Sequence, residues 1–187
     1  MKAQISITPE LSLRVMRPFE AGTLHSLVGR NREHLREWLP WVDEARSLLD
    51  ARHFLERSYI GFLRGAGFNF GIRLDGALIG LLGYHGFDHA NRVTSMGYWL
   101  GSEFCGRGIM RKCAAHGIQY AFTERNMNRL SIRCAVENVR SKRIPESLGM
   151  VMEGTQREAE WLYDRFVDLD TYSILASEWD SSILDRL

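Results

Sequence analysis

Apolar positions along the chain switch between two periods. Leu11, Leu13 and Val15 alternate with Ser12 and Arg14, which predicts a short half-buried strand. Pro18 then opens Phe19 to Arg30, read as a helix entered after a proline whose fixed φ suits a first turn. His34 to Leu39 predicts a short helical turn stopped by Pro40. From Asp50 to Leu63, the residues Phe54, Leu55, Ser58, Tyr59 and Phe62 recur at helical spacing, and Gly65 and Gly67 end the run. Period two returns at Phe68, Phe70 and Ile72. Asp75-Gly76 is a tight-turn dipeptide because both residues tolerate positive φ, so Ala77 to Tyr84 is expected to fold back as a strand. His89-Ala90-Asn91 marks the next turn, before a strand from Arg92 to Leu100. The middle of the chain therefore reads as an antiparallel meander.

After Leu100 the pattern changes. Gly101 to Gly108 is glycine-rich, and Ile109 to Thr123 reads as a helix with Met110, Ala114, Ile118 and Phe122 on one face. Leu130, Ile132, Cys134 and Val136 alternate with polar neighbours, which predicts a strand from Arg129 to Val136. Strand, helix, strand implies a parallel pair joined by a right-handed crossover. Val139 to Leu148 is a short helix closed by Gly149, and two antiparallel strands follow, Met150 to Trp161 and Phe166 to Leu175. The expectation is a mixed α/β fold with a sheet of about seven strands, in one domain over residues 1–187.

Composition narrows the function classes. With 24 basic and 23 acidic residues the net charge is +1, so no global field favours nucleic acid or an anionic membrane. Three cysteines, Cys105, Cys113 and Cys134, cannot all pair, and none has metal-ligand spacing. Reduced thiols in a cytoplasmic protein are expected. The first residues lack the apolar core of a secretory signal, and no stretch approaches the ~20 apolar residues of a membrane helix. His85 and His89 bracket a turn rather than share a face, so no metal site is expected there.

The chemistry concentrates in Cys105-Gly106-Arg107-Gly108-Ile109-Met110, between a strand and a helix. Glycines there let the backbone approach a ligand, and the free N–H groups of the helix start favour an anion. A dinucleotide fingerprint is excluded because the run from Gly106 lacks its third glycine. A nucleotide P-loop is excluded because Arg107 replaces the lysine and Gly108 the hydroxyl residue that ligates magnesium. The pyrophosphate loop of acetyl-CoA-dependent N-acetyltransferases fits imperfectly through Cys105, Gly108 and Met110.

The stretch Gly97 to Met110, together with Glu137-Asn138, Ser141 and Gly149-Met150 about 30 residues later, resembles the GNAT acetyltransferase superfamily, in its RimJ/RimL-type branch. Asn31 to Trp41 is similar to that branch's N-terminal helical segment. Glu158 to Leu162 and Asp168 to Leu175 are similar to its closing hairpin. The resemblance spans nearly the whole chain. It implies a GNAT fold, a mostly antiparallel mixed sheet flanked by helices and splayed between the strands Arg92–Leu100 and Arg129–Val136, the fourth and fifth of the seven. It also implies acetyl-CoA as co-substrate, no metal and possible dimerisation. The pantetheine arm would bond the backbone near Trp99 and Leu100. The amides of Gly106, Arg107, Gly108, Ile109 and Met110 would hold the pyrophosphate, and Asn138 would touch the cofactor or pin the splay. Two departures stand out. Cys105 occupies a position usually Gln or Arg, so Arg107, Arg111 or Lys142 would supply charge instead. The stretch Trp161-Leu162-Tyr163-Asp164 replaces the usual hairpin turn carrying Asn-Gly.

An amine must attack as the neutral base. An α-amino group, with a pKa near ~8, is far easier to deprotonate than a lysine at ~10.4. By the same resemblance Glu160 is the candidate base, directly or through water, and Ser141 the donor to the leaving thiolate. The expected acceptor is the N-terminus of a protein, notably a ribosomal one. Competing readings are a small-amine acetyltransferase, acting on a polyamine, amino acid or aminoglycoside, and a non-catalytic acyl-CoA-binding module.

Overall fold

The computed structural model describes residues 2–187. Its strands are β1 (Gln4–Ser6), β2 (Leu11–Val15), β3 (Phe68–Leu74), β4 (Ala77–Asp88), β5 (Val93–Leu100), β6 (Arg129–Ala135), β7 (Val151–Leu162) and β8 (Arg165–Leu175). Its helices are α1 (Ala21–Arg30), α2 (Arg32–Arg36), α3 (Leu48–Arg64), α4 (Ile109–Thr123) and α5 (Val139–Ser147). All eight strands lie in one sheet, ordered β1-β2-β3-β4-β5-β6-β8-β7. Every neighbouring pair is antiparallel except β5 and β6, which are parallel and joined through α4.

Local chemistry accounts for the boundaries. α3 begins at Ser47, whose hydroxyl accepts from the Asp50 amide while Asp50 reaches back to the Ser47 amide, and it ends at Gly65 with φ 73°. Asp75 and Gly76 both take positive φ, as a tight hairpin between right-twisted strands requires. The helix predicted from Phe19 starts as a 3₁₀ turn over Pro18–Glu20 before α1. The turn predicted at His34 begins two residues earlier as α2, and β4 runs four residues past Tyr84.

Side chains alternate across the sheet and divide the core in two. Leu82, Met96, Leu130 and Ile132 pack with Ala114 and Ile118 of α4. On the other face Leu81 and Met16 pack with Leu24 and Leu27 of α1 and Leu55 of α3. The sheet is thus sandwiched, with α4 and α1/α3 on opposite sides. Phe70 is fully buried, edge-on to Phe68 at 5.0 Å and to Tyr120 at 5.4 Å. Truncating Phe70 to alanine is expected to cost about 3–5 kcal/mol of stability, read as an earlier urea midpoint.

Two features position the site. β5 and β6 pair only at Val93↔Arg129, Thr94↔Leu130 and Ser95↔Ser131, although β5 continues to Leu100 and β6 to Ala135. Beyond Ser95 the strands part, opening a gap in the middle of the sheet. At the same level β4 carries a bulge: Tyr84 pairs Met96 and Gly86 pairs Ser95, leaving His85 as the extra residue. A bulge sharpens local twist and re-aims a side chain, which fits β5 turning away from β6 here.

Candidate active site

On the α4 side, Cys105 to Gly108 forms the loop into the helix. Gly106 and Gly108 both lie in the left-handed region, at φ 77° and 73°, where a side chain would be strained. Among the described residues, no backbone or side-chain acceptor takes the amides of Gly106, Arg107, Gly108, Ile109 or Met110. The first bond into the helix starts only at Lys112, to the Gly108 carbonyl. Five adjacent donors thus sit at the positive end of a 15-residue helix. The Cys105 thiol turns away from the loop, toward the Gly101 carbonyl at 3.6 Å and His34 Nε2 at 3.8 Å. Burial raises its pKa, so it stands as a neutral thiol and leaves anion contact to the main chain.

The cations named from the sequence separate in space. Arg107 is exposed, with its guanidinium 5.6 Å from the Phe104 ring centre. Arg111 donates to the Ser147 carbonyl at 3.3 Å, linking α4 to α5. Lys142 is held by the buried carboxylate of Asp170 at 2.6 Å, and their pairing lowers the Asp170 pKa. Arg140 was not singled out from the sequence. It is exposed and lies close enough for its charge to act on the Cys105 thiol.

A polar cluster bridges the splay. Asn138 caps α5, its Oδ1 accepting from the Ser141 amide at 3.0 Å. Ser141 Oγ lies 3.2 Å from Cys134 Sγ on β6, and Tyr98 on β5 donates its hydroxyl to the Ser141 carbonyl at 3.1 Å. Burial holds Tyr98 well above the usual phenol range, so it acts as a donor. Ser141 is thereby fixed where the two strands open.

Across the sheet lies a cavity of about 560 Å³ between α1, α3, β4 and β5. Trp41 and Trp99 form one wall with ring centres 6.2 Å apart, and Gly97, Tyr98 and Trp99 bring the parted edge of β5 into it. Trp99 lines the cavity, and β5 runs on past Ser95 to Leu100 without pairing to β6. Glu160, on β7 opposite Val167, is half-buried. Burial raises its pKa, opposed by the charge of Arg133. It does not line the cavity itself.

Two ties join the halves. Asn31, buried at the α1–α2 junction, accepts from the Ser102 amide at 2.8 Å and hydroxyl at 3.1 Å while donating to the Leu27 carbonyl. Asn31→Ala should cost about 1–3 kcal/mol of stability, because buried groups lose their partners. It should also raise the KM for acetyl-CoA about tenfold, some 1.4 kcal/mol, as the loop start loosens. At the other end Tyr163, at the β7–β8 tip with φ 61°, donates to the Leu39 carbonyl and stacks under the Arg36 guanidinium at 3.9 Å.

The family described as "Acetyltransferase (GNAT) domain" matches residues 10–151. YdaF of Bacillus subtilis, named as a ribosomal N-acetyltransferase, is 32% identical, covering 93% of this chain and 96% of its own. The ribosomal-protein-serine acetyltransferase of Escherichia coli is 25% identical, covering 92% and 97%. Among solved structures, the microcin C7 self-immunity acetyltransferase MccE, in complex with acetyl-CoA and AMP, superposes with a TM-score of 0.88 at 26% identity, covering 94% and 97%.

Proposed function

We propose, from the premise that the chain belongs to the GNAT acetyltransferase family and is an acetyl-CoA-dependent N-acetyltransferase, that its acceptor is the α-amino group of a protein N-terminus, specifically of a ribosomal protein. One observation carries the reading: a row of free amides at the head of α4 stands on one side of a sheet that is open in its middle, with an aromatic-walled cavity on the other. A cofactor held by its diphosphate on Gly106 to Met110 has one route for its thioester, through the gap beside Trp99 and Leu100. Arg107 and Arg111 flank the loop and Asn138 caps the helix beyond it. Lys142 has its charge neutralised by Asp170 and so is not offered to the loop.

In this reading the amine attacks the thioester carbon from the cavity side. Main-chain amides near Trp99 or Leu100 stabilise the oxyanion. Glu160 takes the proton released as the tetrahedral adduct forms, directly or through water. Collapse breaks the C–S bond, and Ser141 Oγ, held against Cys134, donates a hydrogen bond to the leaving thiolate, which takes up the proton released to Glu160. The ribosomal acceptor places the reaction in the cytoplasm.

The test is calorimetry with coenzyme A combined with steady-state transfer to a peptide panel. Binding that weakens at least 100-fold in Gly108→Val, and transfer to peptides bearing ribosomal N-terminal sequences but not to N-blocked ones, is expected. Faster turnover of spermidine or an aminoglycoside than of any peptide would move the acceptor to small amines. Coenzyme A binding without turnover of any amine would leave an acyl-CoA-binding module.

A further inference from the structure

We propose that His85 is a second catalytic base, taking the proton that an incoming ammonium must shed before it can attack. The proposal rests on the acetyltransfer reading above. Its geometry starts from the bulge: His85 is the unpaired residue of β4 and projects into the cavity on the acceptor face. Its Nδ1 lies 3.1 Å from Ser95 Oγ, the last residue at which β5 still pairs with β6. Its Nε2 then lies over Gly97: a Cβ built there would come within 3.0 Å of it. Glycine at 97 thus leaves room for an imidazole against the strand edge where the thioester would arrive, one residue from Tyr98 and two from Trp99.

The surroundings keep that imidazole neutral. It is open to the cavity yet walled by protein, and burial first, then the Arg133 charge, lowers its pKa below the ordinary 6.5. The other charged groups facing this space are His25 of α1, Glu44 before α3, and Asp50, His53 and Arg57 of α3, with Asp50 engaged by Ser47. Arg133 of β6 acts on both His85 and Glu160. The ordinary pKa of an imidazole lies closer to that of an α-ammonium than a carboxylate's does. The protons balance. One N–H proton of the ammonium passes to His85 Nε2 and on to solvent. The neutral nitrogen bonds to the acetyl carbon, its second proton goes to Glu160, and the C–S bond breaks to a thiolate that accepts a hydrogen bond from Ser141 and then takes up, through solvent, the proton held by Glu160. The net products are amide, coenzyme A and one proton.

The experiment compares kcat/KM of wild type, His85→Gln, His85→Ala and Glu160→Gln between pH 6 and 9 on an N-terminal peptide, with coenzyme A calorimetry and thermal unfolding alongside. At pH 7, where about a tenth of an α-amine of pKa ~8 is already neutral, His85→Gln should lose up to about tenfold. It should recover most of that by pH 9, where the acceptor is already neutral. Added imidazole should restore His85→Ala, with coenzyme A affinity unchanged for every variant. A loss equal at pH 7 and 9 and unrescued by imidazole makes His85 structural and overturns the proposal, as does activity within twofold of wild type. Should wild type acetylate no amine, the acetyltransfer reading falls and this one with it. Should wild type turn over while the His85 profiles stay flat, only this one falls.

Discussion

Glu160→Gln lowers kcat by about 10²–10⁴, the usual worth of a general base, while leaving coenzyme A binding and the unfolding midpoint unchanged. The substitution keeps shape but removes the carboxylate that accepts the adduct's proton. Among the described residues Glu160 makes no ion pair, so little stability depends on its charge; Arg133 acts on it at longer range. Because the adduct must lose its proton at every pH, the loss persists at pH 9, unlike that of a residue needed only to neutralise the ammonium. The acid limb of the wild-type profile lies above the ordinary carboxylate range, since burial raises the Glu160 pKa and activity requires its ionised form. Full activity of the variant would remove Glu160 from the mechanism and leave a water network in its place.

Gly108→Val weakens coenzyme A at least 100-fold by calorimetry. Gly108 holds φ 73° as the N-cap of α4, a conformation costing a β-branched residue about 1–3 kcal/mol. Nothing lies within 4 Å of a Cβ built there, so the side chain has room, and the damage falls on the backbone. Relaxing that φ rotates the amides of Gly108 and Ile109 out of the row. Each charge-assisted bond so lost is worth about 1.5–3 kcal/mol. Gly108→Ala should lose less, and both variants should keep a core unfolding transition, since Gly108 is exposed. An unchanged affinity in Gly108→Val would detach the diphosphate from this loop.

How far the residues alone spoke depends on what each element asks of its neighbours. α4 was legible to its end residues because a glycine at its start and a buried apolar stripe set both boundaries locally. The hairpin at Asp75-Gly76 was legible because positive φ restricts residue choice. β1 was missed: three residues, Gln4, Ile5 and Ser6, carry no period, and only pairing to β2 defines them. The sheet therefore has eight strands, and the splay falls between the two strands predicted for it, counted fifth and sixth once β1 is included. The order β6-β8-β7, which seats the last strand inside the hairpin, is also a tertiary fact. Within the site, Asn138 and Ser141 share one helix start and were found together. Lys142 was placed by charge alone, and the buried Asp170 that holds it lies 28 positions away. His85 was passed over because its meaning comes from a bulge and from Gly97 across the sheet, neither of which leaves a pattern in the chain. Asn31 and Tyr98 escaped for the same reason.

The tie between Tyr163 and Leu39 has a consequence for how such enzymes diversify. The tip of the final hairpin meets the acceptor-side segments through a few side chains, Tyr163 against Leu39 and Arg36. A graft of another tip sequence onto this scaffold would remodel the doorway by which acceptors enter and leave the acetyl donor seated as before. Acceptor choice and donor delivery can then drift independently, one hairpin exchange at a time.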